Sequence, residues 1–152
     1  TASGIGNPVV SASSLPNHLY RKGTIKISPD GLNLVCTDSI AEMCYFNPAT
    51  GIINVRVTFL PWYLGFPSQA DGVEFSRDSQ YLYTIKAFGN LSNNTPVWQF
   101  DMTRQDSATF IQTGSVIGTN SFGSIQLGPD GKIYLDAVSS TLDSLNRIND
   151  PS

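Results

Sequence analysis

The chain has 152 residues, of which 40% are hydrophobic and only 14% are charged. This length allows a hydrophobic core, and the shortage of charge argues against long surface helices, whose outer faces need it. The net charge is −3 and the densest basic pair is Arg21–Lys22, so nucleic acid is not expected as a partner. No run approaches the ~20 apolar residues of a membrane helix, so no membrane insertion is expected.

Three segments of the chain resemble one another: 23–31, 71–79 and 123–131. Each contains an alternating strand and a turn with an aspartate, and a second apolar strand follows. The equivalent turn residues are Asp30, Asp78 and Asp130, at spacings of 48 and 52 residues. Such spacings are close to the ~40–50 residues of a propeller blade. The aspartates are interpreted as caps of the hairpin turns, since no Asp-x-Asp-x-Asp run suggests calcium.

Each repeat is predicted to form a four-stranded antiparallel sheet. In the first strands, apolar residues alternate with Lys26, Glu74 or Gln126, which are placed on the opposite, polar face. The later strands are predicted at 34–35, 42–46 and 52–57 in the first repeat, at 82–85, 97–100 and 109–112 in the second, and at 133–135 and 144–148 in the third.

The fold class is therefore all-β, with about three blades of a β-propeller. Residues 1–22 are predicted to be a leading outer strand and a linker, and the blades occupy 23–70, 71–122 and, incompletely, 123–152. The leading strand is placed at Pro8–Ser11. A plain β-sandwich of short strands is the alternative fold.

Three blades rarely close a ring, since propellers typically have four to eight. Either the chain is part of a larger parent protein, or copies assemble into a homo-oligomer. In the second case residues 5–13 of one copy would complete the last blade of another, giving a six-bladed ring from two chains.

Several segments also occur in a familiar order: Asn7–Ser11, Gly23–Gly31, Gly72–Ser76, Gly123–Tyr134 and Ile148–Pro151. The ordered set resembles the propeller region of large secreted surface proteins of the Bacteroidetes. These are often labelled gliding-motility-associated and carry a C-terminal type B sorting domain for type IX secretion. The resemblance implies export to the cell surface or medium, although this segment shows no signal peptide. It implies no reaction.

No catalytic residue, cofactor or metal site is predicted. His18 is the only histidine, and no nucleophile motif accompanies it. Glu42 and Glu74 are the only glutamates and are interpreted as surface charges.

The two cysteines, Cys36 and Cys44, lie near the facing ends of neighbouring strands. A connection centred on Ile40 would place them directly opposite each other, where a cross-strand disulfide could form. The alternative is two small buried hydrophobic side chains.

The segment Pro61–Phe66 joins the first two blades and is rich in aromatic residues. Trp62, Tyr63 and Phe66 are candidate contacts for a sugar or a partner, because aromatic side chains are typical anchors. Alternatively, Trp62 and Phe66 fill the core between the blades.

Three Asp-Ser-apolar tripeptides match the pattern that Bacteroidetes use for O-glycosylation of exported proteins. The candidate acceptors are Ser39, Ser107 and Ser144.

The leading functional expectation is a non-enzymatic scaffold or interaction module of a secreted or cell-surface protein, binding protein or glycan at one propeller face. The alternatives are a carbohydrate-binding propeller and an enzyme of the lactonase or hydrolase type. An enzyme needs acidic or histidine side chains converging on the central channel, and this chain has few of them.

Overall fold

The computed structural model describes residues 7–12, 24–37, 41–59, 70–86, 95–104, 106–120, 124–137 and 144–148. Its strands form three antiparallel sheets, each a blade of the all-β propeller type that the repeat predicts. Blade 1 consists of β1 (Thr24–Ile27), β2 (Asn33–Thr37), β3 (Ala41–Phe46) and β4 (Ile53–Phe59). Blade 2 consists of β5 (Ala70–Phe75), β6 (Tyr81–Lys86), β7 (Thr95–Asp101) and β8 (Ser115–Asn120), with the helix α1 (Ser107–Gln112) before β8. Blade 3 contains β9 (Ile125–Leu127), β10 (Ile133–Ala137) and β11 (Ser144–Ile148).

The first strands of the three blades lie next to one another, since β1 contacts β5 and β5 contacts β9. In each sheet the strands follow in chain order from this inner strand outward. The blades therefore fan out around the line where β1, β5 and β9 meet, which we call the axis. This order also makes every contact within a blade local in the sequence.

Two hydrophobic cores hold the blades together. The core between blades 1 and 2 is aromatic: the ring centroids of Phe59, Phe100 and Phe110 lie 5.2–5.3 Å apart. The core between blades 2 and 3 is built from buried aliphatic residues and one tyrosine: Tyr83, Ile85, Val97, Ile125, Ile133 and Leu135. In the aromatic core between blades 1 and 2, each pair of rings at 5.2–5.3 Å stabilises the fold by about 0.5–1.5 kcal/mol, in addition to the effect of the buried area.

The aspartate turns are hydrogen-bonded within themselves, which confirms their interpretation as hairpin caps. In blade 1 the Asp30 carboxylate accepts hydrogen bonds from the Ser28 hydroxyl at 2.5 Å and from the Leu32 amide at 2.9 Å. In blade 2 the Asp78 carboxylate accepts one from the Ser76 hydroxyl at 2.6 Å. A short polar side chain thus replaces the backbone partners that a tight turn leaves unsatisfied.

The prediction of a fourth strand at 109–112 was wrong. This stretch is in α1, and the fourth strand is β8, three residues further on. The cause is local: Asp106 caps the helix, because its carboxylate accepts a hydrogen bond from the Thr109 amide at 2.9 Å. The helical turn then directs Phe110 into the aromatic core, where it is fully buried.

The leading strand predicted at Pro8–Ser11 is not formed within the described residues 7–12, which have no regular secondary structure. They lie beside the start of β4, where the Ser11 hydroxyl accepts a hydrogen bond from the Ile53 amide at 3.0 Å. Pairing of this segment with another copy of the chain stays a prediction. Within the described residues no helix is long and apolar enough to cross a membrane.

Candidate functional site at the axis

The inner strands bring one repeated position of the three blades together. Lys26, Glu74 and Gln126 are equivalent residues in the repeat, and they lie in β1, β5 and β9. The Lys26 ammonium donates a hydrogen bond to Glu74 Oε2 at 2.7 Å and another to Gln126 Oε1 at 2.9 Å. We call these three residues the axial cluster.

Glu74 is the most constrained member of the axial cluster. Only 5% of its surface is exposed, and the buried carboxylate is compensated on both oxygens. Oε2 also accepts a hydrogen bond from the Leu127 amide at 3.0 Å, and Oε1 accepts one from the Phe75 amide at 3.1 Å. Because an unpaired charge at such a site is strongly destabilising, these partners are what allow the carboxylate to lie between the blades.

The chemistry of the axial cluster is that of a fixed positive charge. A lysine ammonium has three N–H donors, and two of those on Lys26 are used by Glu74 and Gln126. The Lys26 side chain is partly exposed, with 23% of its surface accessible. The third donor can therefore meet an oxygen atom on a ligand, and the low dielectric of the surroundings strengthens that interaction.

The interpretation of the two glutamates as surface charges was wrong. Glu74 is buried in the axial cluster, and Glu42 in β3 is buried as well, with 1% of its surface exposed. The sequence pattern placed Glu74 correctly opposite the apolar residues of its strand. It gave no sign that a neighbouring blade covers this face, because that contact joins residues far apart in the sequence.

The two cysteines are free thiols in this structure. The pairing is shifted from the predicted one: Cys36 lies opposite Glu42, and Cys44 lies opposite Leu34. Thr37 pairs with Ala41, so the two strands are in a register centred one residue earlier than Ile40. The cysteines are thus diagonal neighbours, not directly opposite ones.

The thiols of Cys36 and Cys44 still interact across this diagonal. The pKa of Cys36 is lowered, chiefly by a hydrogen bond from the Cys44 thiol. The pKa of Cys44 is raised, first by the same hydrogen bond and then by burial. A disulfide between the two cysteines stays a prediction.

Several predicted site residues lie outside the described residues: His18, Ser39, Trp62, Tyr63 and Phe66. A ligand or partner contact at the three aromatic residues therefore stays a prediction. Ser144 is the first residue of β11.

Ser107 is exposed at the start of α1, and its hydroxyl donates a hydrogen bond to the Arg56 carbonyl at 3.3 Å. Since Asp106 serves as the helix cap, the Asp-Ser pair has a structural role independent of glycosylation. O-glycosylation of the three serines stays a prediction, which the intact mass of native material would test.

The described residues contain no group of three His, Cys, Asp or Glu side chains arranged to hold a metal ion. The axial cluster is the arrangement that sequence reasoning missed as a site. Its signal was present in the repeat, where a charged or amide side chain recurs at one position of every inner strand.

No protein-family model and no curated protein matches this chain. Several solved structures share its fold, among them the following two. A candidate 6-phosphogluconolactonase from Bacteroides uniformis has 13% sequence identity and a TM-score of 0.53, over 82% of this chain and 38% of its own. A protein from Lactobacillus plantarum has 15% identity and a TM-score of 0.51, over 83% of this chain and 40% of its own. The chain thus spans about two fifths of the length of these structures.

At these identities the likeness to the two structures shows the fold alone, an all-β fold of propeller-like blades. It also overturns the leading functional expectation. The expectation of a non-enzymatic scaffold was wrong, because the Bacteroides uniformis neighbour favours the lactonase-type alternative.

Proposed function

We propose that the chain is part of a lactonase-type propeller hydrolase that opens a lactone ring at the axial cluster. One observation carries the proposal: a Lys26–Glu74 ion pair, with the carboxylate buried and the ammonium partly exposed, lies where the inner strands of the three blades meet. The name of the Bacteroides uniformis neighbour supplies the class of reaction. The activity is proposed for the whole protein, because this chain covers only 38% and 40% of the two neighbours' lengths.

Lactone hydrolysis adds one water molecule across an ester bond. The water oxygen attacks the carbonyl carbon, and negative charge develops on the carbonyl oxygen. The ring C–O bond then breaks, the ring oxygen takes up a proton, and a hydroxy acid is released. A fixed positive charge near the carbonyl oxygen stabilises this negative charge and so lowers the barrier to the first step. Stabilisation of this kind is usually the largest single contribution to the catalysis of such reactions.

Lys26 is the residue that we assign to this task. Its remaining N–H donor would contact the carbonyl oxygen as negative charge develops there. Glu74 and Gln126 act as positioning residues, because their hydrogen bonds fix the ammonium at 2.7 and 2.9 Å. Holding the charge in place before the reaction avoids the cost of reorienting it during the reaction.

The test is an assay of 6-phosphogluconolactone ring opening with the purified full-length protein, followed as acid release in a pH-stat. We expect hydrolysis above the buffer rate and a loss of about 10²–10³ in kcat for Lys26→Met, the size seen when one stabilising donor is removed. Lys26→Arg, which keeps the charge, should recover part of the rate.

The matched control is Lys132→Met, because Lys132 also pairs with a carboxylate, that of Asp130, at 2.8 Å but on the surface. This variant should retain the full rate. Hydrolysis at the buffer rate by the unaltered full-length protein, or an undiminished kcat in Lys26→Met, would contradict the proposal.

Location outside the cell and membership of a larger surface protein are separate from this proposal. They stay predictions of the sequence resemblance.

A further inference from the structure

A second concave site lies between blades 1 and 2 and shares no residue with the axial cluster. It is a cleft of about 550 Å³, within the range of about 300–1,000 Å³ for small-molecule sites. Blade 1 contributes Asp30, Asn33 and Tyr45 to its lining, and blade 2 contributes Gln80 and Thr103. The two turns that form its rim are joined by a hydrogen bond of 3.1 Å from the Asp30 amide to the Ser79 hydroxyl.

The sequence explains why the cleft is present at this junction. Asn33 is the third residue after the turn aspartate, and the equivalent residue in blade 2 is Tyr81, which packs against the core between blades 2 and 3. Replacing a tyrosine by an asparagine at this position leaves space between the sheets.

A β-bulge supplies the other wall of the cleft. Met43 pairs with Val57 and Cys44 pairs with Val55, so Arg56 is the extra residue of β4. A bulge redirects the side chain of the extra residue, and Arg56 reaches blade 2, where it donates hydrogen bonds to the Met102 and Arg104 carbonyls.

One side of the cleft is apolar and exposed. Leu32 is 54% exposed and Tyr45 is 41% exposed. The Arg56 guanidinium lies 5.3 Å from the centre of the Tyr45 ring, so one face of the ring is covered and part of the side chain remains open to a ligand. An exposed aromatic side chain next to an aliphatic one forms a flat surface for the C–H groups of a ligand.

The opposite side of the cleft presents polar atoms that lack partners. Asn33 Oδ1 is buried without a hydrogen-bond partner within the described part of the chain. The contacts of the Asp30 side chain among these residues all involve Oδ1, which leaves Oδ2 as an acceptor. Gln80 is exposed at the rim, and Thr103 adds a hydroxyl. A buried acceptor without a partner is costly, and rotation of the Asn33 side chain toward the cleft that it lines would let a ligand hydroxyl satisfy it.

The charges in the cleft balance. Asp30 contributes one carboxylate and Arg56 one guanidinium, and the guanidinium is already bonded to two carbonyls. The cleft therefore has no net charge that would attract an anionic or a cationic ligand.

We propose that this cleft binds a neutral saccharide unit. The hydroxyl groups of the sugar would donate to Asn33 and Asp30 and bond to Gln80 and Thr103, and its C–H face would pack on Tyr45. The inference is independent of the lactonase proposal, because it rests on different residues and a different region of the fold.

Saturation-transfer NMR with methyl glycosides of glucose, galactose and N-acetylglucosamine tests the proposal. We expect saturation transfer to at least one of them. Gln80→Ala should weaken its binding by about threefold to tenfold, as the loss of one hydrogen bond does. Tyr45→Ala should weaken it by about tenfold or more, as the loss of an aromatic anchor does.

Gln112→Ala is the matched control, because Gln112 is an exposed glutamine outside the cleft. It should bind like the unaltered chain, and so should Lys26→Met, which separates the result from that of the lactonase assay. Absence of saturation transfer for all three glycosides, or equal binding by Gln80→Ala and Gln112→Ala, would overturn the proposal. Preferential binding of a charged sugar phosphate at this cleft would do so as well.

Discussion

The inner strands of blades 1 and 2 have the same sequence pattern but opposite environments. Val73 and Phe75 of β5 are completely buried against blade 1. The equivalent residues of β1, Ile25 and Ile27, are 69% and 49% exposed. Alternation therefore decides which side chains share a face, and a neighbouring blade decides whether that face is buried. The face of blade 1 that carries Ile25 and Ile27, which we call its outer face, is covered by no sheet of the described residues.

The largest expected difference between the two strands is in stability. Phe75→Ala should reduce the free energy of unfolding by about 3–5 kcal/mol, because it opens a cavity in a packed core. Ile27→Ala at the equivalent position should cost less than about 1 kcal/mol, since it removes a side chain that is half exposed. Urea titration of the two variants measures both values.

The same titration at two protein concentrations sharpens the result. If Ile27→Ala costs as much as Phe75→Ala, and more at high protein concentration, then another copy of the chain covers the outer face of blade 1. That outcome would contradict the exposure of Ile27 in solution.

A smaller effect is expected at the turns, where equivalent aspartates have different partners. The pKa of Asp130 is lowered from 3.8 to about 2, first by a hydrogen bond from the Lys132 ammonium. A lowered pKa in the folded state stabilises the protein above pH 3.8, and this contribution is lost as the pH falls from about 4 to about 2. Lys132→Met should therefore make the free energy of unfolding less dependent on pH in this range.

In blade 2, the lowered pKa of Asp78 comes first from the Ser76 hydroxyl, so it needs no lysine. Unfolding measured between pH 2 and pH 4 provides the check, with Gln112→Ala as the control. An unchanged pH dependence in Lys132→Met would show that its ammonium does not set the pKa of Asp130.

Local features of the sequence predicted most of the fold. The strands around Asp30, Asp78 and Asp130 are where alternation and the turn residues place them, because both signals act over a few residues. The helix α1 was missed, because Thr109–Gln112 alone is compatible with a strand. The capping aspartate at position 106 was the signal for the helix.

The candidate sites were harder to predict, because they depend on contacts between blades. Lys26 and Gln126 are 100 positions apart in the sequence, and only the arrangement of the inner strands brings them together. The same holds for the cleft, whose rim joins Asp30 to Ser79. The prediction that Cys36 and Cys44 lie directly opposite each other was wrong for a different reason. Moving the centre of strand pairing by one residue changes which residues lie opposite each other.

A double-mutant cycle on Lys26 and Glu74 tests most directly whether the blades meet at a partly buried ion pair. The free energy of unfolding is measured for the unaltered chain, Lys26→Met, Glu74→Gln and the double variant. We predict a coupling energy of about 1–3 kcal/mol between the two residues, as for groups in direct contact. A parallel cycle on the exposed pair Asp130 and Lys132 should show a smaller coupling energy, because solvent screens an ion pair on the surface. If the Lys26 and Glu74 effects add to within about 0.3–0.5 kcal/mol, the two side chains do not interact and the axial cluster does not exist.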